Sequence, residues 1–167
     1  MNATFIKASP VVHEHNERLV KHVDRMPRTG DLIDSGQSGE LKMALDETCG
    51  FLTELLVPHM EATERALYPE LERLFQNRHS MAPMRREHVE IRRLVVDFAR
   101  LASELATTPI TIGRTLALRR VAFQLYALLK IHLAEEEAYL RIVERGVDTD
   151  IADILAAAMD HPGTHTA

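Results

Sequence analysis

The chain has 167 residues, a length that suits one soluble globular domain. Its net charge of −5 argues against binding to nucleic acid or to an anionic membrane surface. Its single cysteine, Cys49, excludes an intrachain disulfide and a cysteine-rich metal site. No run approaches the ~18 apolar residues that span a bilayer, and the N-terminal segment lacks a signal-peptide profile. We therefore expect a cytoplasmic protein that contacts neither nucleic acid nor membrane.

Apolar residues recur at steps of three and four along most of the chain, a pattern that predicts helices. The first predicted helix begins at Pro10, because proline fits the first helical position, and its apolar stripe reaches Met26. The segment 27–39 contains several turn residues, including Pro27 and Gly30. We predict a connection there rather than a helix.

Three longer helices are predicted to follow, over 40–76, 81–106 and 111–145. Pro58 and Pro69 lie inside the first of these and should kink or break it, so we treat it as one bent element.

Four amphipathic helices with modest links predict an all-α fold, an up-down-up-down four-helix bundle. We assign the bundle to residues 1–147. Residues 148–167 are expected to form a short fifth helix over 151–159 and a loose tail.

Each of the four apolar stripes carries one histidine, and the last also carries a glutamate one turn later. These polar residues are His15, His59, His88, His132 and Glu136. One histidine on an apolar stripe is more often a core residue with hydrogen-bond partners than a ligand. Four on four different helices favour a metal site in the bundle core, because buried polar groups need partners. Imidazole and carboxylate ligands suit iron, zinc or manganese.

The other histidines are expected at the surface. Each lies off the apolar stripe, two turns away from the stripe histidine, in a turn or in the tail. They are His13, His22, His79, His161 and His165.

Four segments, taken in order, resemble the hemerythrin-like, or HHE cation-binding, family over about residues 10–145. They are EH at 14–15, PHMEATERALYP at 58–69, REHVEIRRL at 86–94 and HLAEEEAYL at 132–140. The resemblance implies a four-helix bundle with a non-haem di-iron centre held by histidines and two bridging carboxylates. It further implies a protein that binds or responds to oxygen, nitric oxide, peroxide or iron.

The resemblance carries the ligand role onto the four stripe histidines and onto Glu136, with Glu137 as an alternative one residue later. The family's acid on the second helix usually lies four residues after the histidine, where this chain has Thr63. Glu64 follows at about 140° from His59 on a regular helix, and a π-bulge near Pro58 would bring it into line. We therefore predict Glu64 as the second acidic ligand, in a locally widened helix.

Oxygen-carrying members have a second histidine on the third helix, where this chain has Arg92. This departure argues against simple reversible oxygen carriage. The leading hypothesis is a di-iron protein that senses, stores or detoxifies, with metal ions and a small diatomic or peroxide ligand as partners.

Two alternatives stay open. One is a di-iron oxidase or peroxide-consuming enzyme, although the Glu-x-x-His pairs of its ferritin-like version are missing from the chain. The other is a bundle with a degraded metal site that serves as an interaction module, for which Thr63 and Arg92 are the motive.

Overall fold

A computed structural model of the protein describes residues 10–35, 38–107 and 111–146. Over these ranges the chain is helical, with no strand, which confirms the all-α prediction. Besides a long helix over 38–74, the helices are α1 (Pro10–Val23), α2 (Met26–Ser35), α6 (Ala82–Thr107) and α7 (Ile112–Gly146). The predicted fifth helix and tail lie outside the described residues.

Helix α2 occupies most of the segment 27–39, so the prediction of a connection there is wrong. Met26 and Ile33 of this helix are buried in the core. Gly30 does not end a helix: a Cβ added there would lie 2.7 Å from the ring of Phe123. Its lack of a side chain instead lets α2 pack closely against α7.

The long helix over 38–74 confirms the prediction of one element across both prolines, and it contains two π-helical segments. In chain order its parts are α3 (Ser38–Gly50), π1 (Phe51–Leu56), α4 (Val57–Ala62), π2 (Thr63–Leu67) and α5 (Tyr68–Leu74).

Each π segment comes just before a proline that a regular helix would not accommodate. The N–H of Val57 bonds to the carbonyl of Leu52, five residues earlier, and the next residue is proline. The N–H of Tyr68 bonds in the same way to the carbonyl of Thr63. A proline ring clashes with the carbonyl four residues earlier in an α-helix, so a wider turn before it keeps the helix continuous.

The apolar core is divided into two clusters. Members of the larger cluster include Leu19, Leu52, Leu56, Met60, Ile91, Phe98, Leu125, Leu129 and Leu133. The smaller cluster consists of Leu67, Tyr68, Leu71, Met81, Met84 and Leu140. On α6 and α7 the buried polar residues His88 and Glu136 lie, along the chain, between residues of the two clusters.

Candidate metal centre

The structure brings the four stripe histidines and Glu136 together as buried residues, which we call the polar layer. Their exposed fractions are 4% for His15, 2% for His59 and 0% for His88, His132 and Glu136. They come from α1, α4, α6 and α7, so each main helix of the bundle contributes.

Glu136 pairs with His59 on one side of the polar layer. Its Oε2 lies 2.7 Å from His59 Nε2, and the ring of His59 stacks on that of His15 with centroids 5.2 Å apart. Burial opposes ionisation of Glu136, but the charge of His59 and its hydrogen bond outweigh burial and lower the pKa to about 2. Glu136 is therefore a carboxylate at neutral pH.

On the other side, His88 and His132 face each other with their Nε2 atoms 3.0 Å apart. The outer nitrogen of each ring contacts a carboxylate. His88 Nδ1 lies 2.6 Å from Glu64 Oε1, and His132 Nδ1 lies 2.8 Å from Glu87 Oε2.

The positions of the protons follow from these two outer contacts. An ionised carboxylate only accepts hydrogen bonds, so both Nδ1 atoms are donors and, in neutral rings, both Nε2 atoms carry lone pairs. Burial, followed by the charge of His132, lowers the pKa of His88 to about 4, so this ring is neutral at pH 7. Two lone pairs that face each other at 3.0 Å require a donor or a cation close by.

One donor is available in the hydroxyl of Tyr68, which lies 3.0 Å from His88 Nε2. Burial raises the pKa of Tyr68, so its hydroxyl keeps the proton and can donate it. Within the described part of the chain, Oε1 of Glu136 is buried with no hydrogen-bond partner. The two facing Nε2 atoms and Glu136 Oε1 thus present more acceptors than the Tyr68 hydroxyl can satisfy, and imidazole and carboxylate groups fit a metal cation.

The donor atoms nevertheless contact one another in pairs. Among the described residues, no group of three or more His, Cys, Asp or Glu side chains is placed to hold an ion. Ligation would require the pairs His59–Glu136 and His88–His132 to open.

The predicted widening is confirmed at Glu64, which belongs to π2, but this segment lies before Pro69, and the residues around Pro58 and His59 are α-helical. Its carboxylate reaches the outer nitrogen of His88 and also lies 3.0 Å from Arg92 Nη1. Burial opposes ionisation, but hydrogen bonds from Arg92 and His88 lower its pKa. Glu64 therefore adjoins the polar layer from outside, and its role as a ligand stays a prediction.

A family model described as the hemerythrin HHE cation binding domain matches residues 8–140. The chain belongs to this family. No curated protein and no solved structure matches it. This hemerythrin-family chain is thus a helical cation-binding protein, and the matched range includes all six predicted ligands.

The structure separates the two adjacent acids of α7 in this hemerythrin-family protein. Glu136 is fully buried, whereas the half-buried Glu137 accepts hydrogen bonds from Arg141 at 3.1 Å and Asn16 at 3.4 Å. We therefore keep Glu136 as the candidate ligand.

Two of the remaining histidines lie outside the polar layer, as expected. His22 stacks on Phe51 of π1, and His79 is exposed in the turn before α6. The other three residues, or their side chains, fall outside the described part of the structure; they are His13, His161 and His165.

Three contacts to the polar layer of this hemerythrin-family protein were missed by sequence reasoning. Tyr68 lies in the LYP segment of the resemblance, and Glu87 precedes His88 in the EH pair, but neither received a role of its own. Arg18 donates to His15 Nδ1 at 3.2 Å, and only its spacing of one turn hints at this contact.

Within the described ranges, no helix has the length and apolar character needed to cross a membrane.

Proposed function

We propose that the protein binds iron in the polar layer, as a non-haem di-iron centre, and uses it to sense or handle oxygen, nitric oxide, peroxide or iron. The observation that carries this proposal is the pair of Nε2 atoms of His88 and His132, turned towards each other by carboxylates on their outer nitrogens. Zinc or manganese would suit the same donor chemistry.

The proposed ligands are the polar layer and one acid outside it: His15, His59, His88, His132, Glu136 and Glu64. Glu136 is the carboxylate best placed to contact iron, because it is ionised and completely buried. For a second carboxylate to bridge, Glu64 would leave His88 Nδ1 and Arg92 and turn inward.

Iron bound here would supply the redox and ligand-binding chemistry. The chain's own residues would keep bulk water away, since three members of the polar layer are fully buried. Tyr68 would hold a proton beside His88 Nε2.

A second candidate function, a peroxide-consuming or oxidase activity, is favoured by that same hydroxyl. The Tyr68 hydroxyl lies 3.0 Å from Nε2 of the candidate ligand His88, so it is placed to donate a hydrogen bond to a substrate bound beside that ligand.

Anaerobic iron loading tests the main proposal by metal analysis and by an absorption spectrum recorded before and after exposure to air. We expect about two iron ions per chain, as bridging carboxylates would allow. His132→Ala should lose most of this iron, whereas the exposed His79→Ala should keep it. A well-folded protein without stoichiometric metal would contradict the proposal and support an interaction module.

Peroxide turnover by the iron-loaded protein separates the two candidate functions. An enzyme should consume peroxide over many cycles, and Tyr68→Phe, which removes the hydrogen-bond donor, should slow this turnover by about 100-fold. A sensor or storage protein should react only once per centre.

A further inference from the structure

We propose that Glu87 is a positioning residue that orients the ring of His132 so that its Nε2 faces the interior of the bundle. The proposal rests on the proposed metal centre in one respect, because the benefit of this orientation is stronger ligation. Glu87 itself would not contact the metal.

The contact joins two helices. Glu87 lies on α6 directly before His88, and consecutive helical residues are about 100° apart. His88 can therefore face the polar layer while Glu87 reaches the outer edge of the His132 ring on α7. The side chain of Glu87 is 25% exposed, whereas that of His132 is fully buried.

The distance of 2.8 Å between Glu87 Oε2 and His132 Nδ1 is that of a strong hydrogen bond. Because a carboxylate cannot donate, the bond selects the tautomer with its proton on Nδ1 and its lone pair on Nε2. It also restrains rotation of the ring. Both effects favour binding of a cation at Nε2, and carboxylates behind metal-binding imidazoles act in this way generally.

Glu64 offers an internal comparison, since it makes the same contact with His88. Its carboxylate is shared with the guanidinium of Arg92, which offsets part of its negative charge. Over the described ranges, Glu87 has an ion-pair contact with His132 alone. We infer that Glu87 makes His132 the stronger electron donor of the two facing rings.

The test compares Glu87→Ala and Glu87→Gln with a control, Glu135→Ala. Glu135 is exposed on α7 three residues after His132, so its loss removes the same charge without touching the ring. The first readout is the tautomer of His132 in the metal-free protein, from ¹⁵N chemical shifts of the ring. The second is the affinity for Fe²⁺ under anaerobic conditions, measured by competition with a chromophoric chelator.

Glu87→Ala should mix the His132 tautomers and weaken Fe²⁺ binding by about 10- to 100-fold. Glu87→Gln keeps an acceptor oxygen, so it should restore the tautomer and part of the affinity. The control should match the wild type in both readouts.

A wild-type tautomer in Glu87→Ala would overturn the inference, as would wild-type affinity in that variant or an equal loss in the control. If the wild type binds no Fe²⁺, the proposed function fails. The tautomer readout needs no metal and still decides whether Glu87 orients the ring.

Discussion

Both π segments of the long helix accommodate a proline, but π1 lies in an apolar environment and π2 lies beside the polar layer. Both precede a proline, and both end with an N–H bonded to the carbonyl five residues earlier. Segment π1 buries Phe51, Leu52 and Leu56 in the larger apolar cluster. Segment π2 lies beside the polar layer, and its Glu64 contacts His88. A widened turn can thus accommodate a proline without contributing to a metal site. Whether a π segment contributes to such a site depends on which side chains it carries and what they contact.

The acids of the two segments show this difference most clearly. Glu54 of π1 is exposed to solvent. The side chain of Glu64 in π2 is 29% exposed and accepts hydrogen bonds from a buried imidazole and a guanidinium. Changes that act on one segment and not on the other therefore test the comparison.

Acidification should have the largest effect on stability, because it protonates two members of the polar layer beside π2, His88 and Glu136. The pKa of His88 falls from 6.5 to about 4 on folding, and that of Glu136 from 4.5 to about 2. In both cases the unfolded chain binds more protons in acid. The free energy of unfolding of the metal-free protein should therefore decrease from pH 6.5 to 4 through His88, and from 4.5 to 2 through Glu136.

Melting temperature against pH measures this decrease. His22, which stacks on Phe51 of π1, also has a lowered pKa because of burial and the charge of Arg25. Its replacement, His22→Phe, should remove only a small part of the slope. A melting temperature that is constant between pH 6.5 and 4 would contradict the prediction.

Shortening each π segment by one residue should have the next largest effect. A single deletion returns a π segment to the α pattern, provided that the following proline is also replaced. Deletion of the exposed Arg65 with Pro69→Ala should weaken iron binding by at least about tenfold, because Glu64 is displaced from His88. Deletion of the exposed Thr53 with Pro58→Ala should leave iron binding unchanged.

Circular dichroism and iron titration of the two variants give the measurement. Both should remain helical, since a proline and an irregular turn are removed from each. Equal losses of iron would show that the position of Glu64 is irrelevant to the site.

Replacing the acid of each segment is the mildest change. Glu64→Gln should lower the iron content per chain if the side chain ligates, whereas Glu54→Gln should not. Metal analysis after desalting gives the number of iron ions per chain. An unchanged iron content in Glu64→Gln, together with a lower iron content in Glu136→Gln, would limit Glu64 to orienting His88.

The sequence predicted the fold and the polar layer well because both depend on helical periodicity. The helices over 81–106 and 111–145 agree with α6 and α7 to within one residue. The widened turn was predictable because the acid came one residue late and prolines lay nearby. These features depend on neighbours along the chain.

The features that could not be predicted depend on residues distant in sequence. Glycine is typical of turns, so Gly30 was predicted to lie in a connection. It lies within a helix, where a side chain would collide with the ring of Phe123, and this contact is not visible in the sequence. The outward position of Glu64 depends on the guanidinium of Arg92, which belongs to another helix. The contact between Glu87 and His132 depends on the register of α6 against α7, which periodicity alone does not give.

The division of the apolar core bears on how the bundle comes apart. The smaller cluster holds six buried side chains, from α5, α6, α7 and their neighbours. Parts of a protein with separate apolar clusters can open independently of one another. A polar layer transmits little hydrophobic stabilisation from one cluster to the other. An ion ligated from α1, α4, α6 and α7 would act as a cross-link at this boundary, so that loss of metal would loosen one end of the bundle before the other.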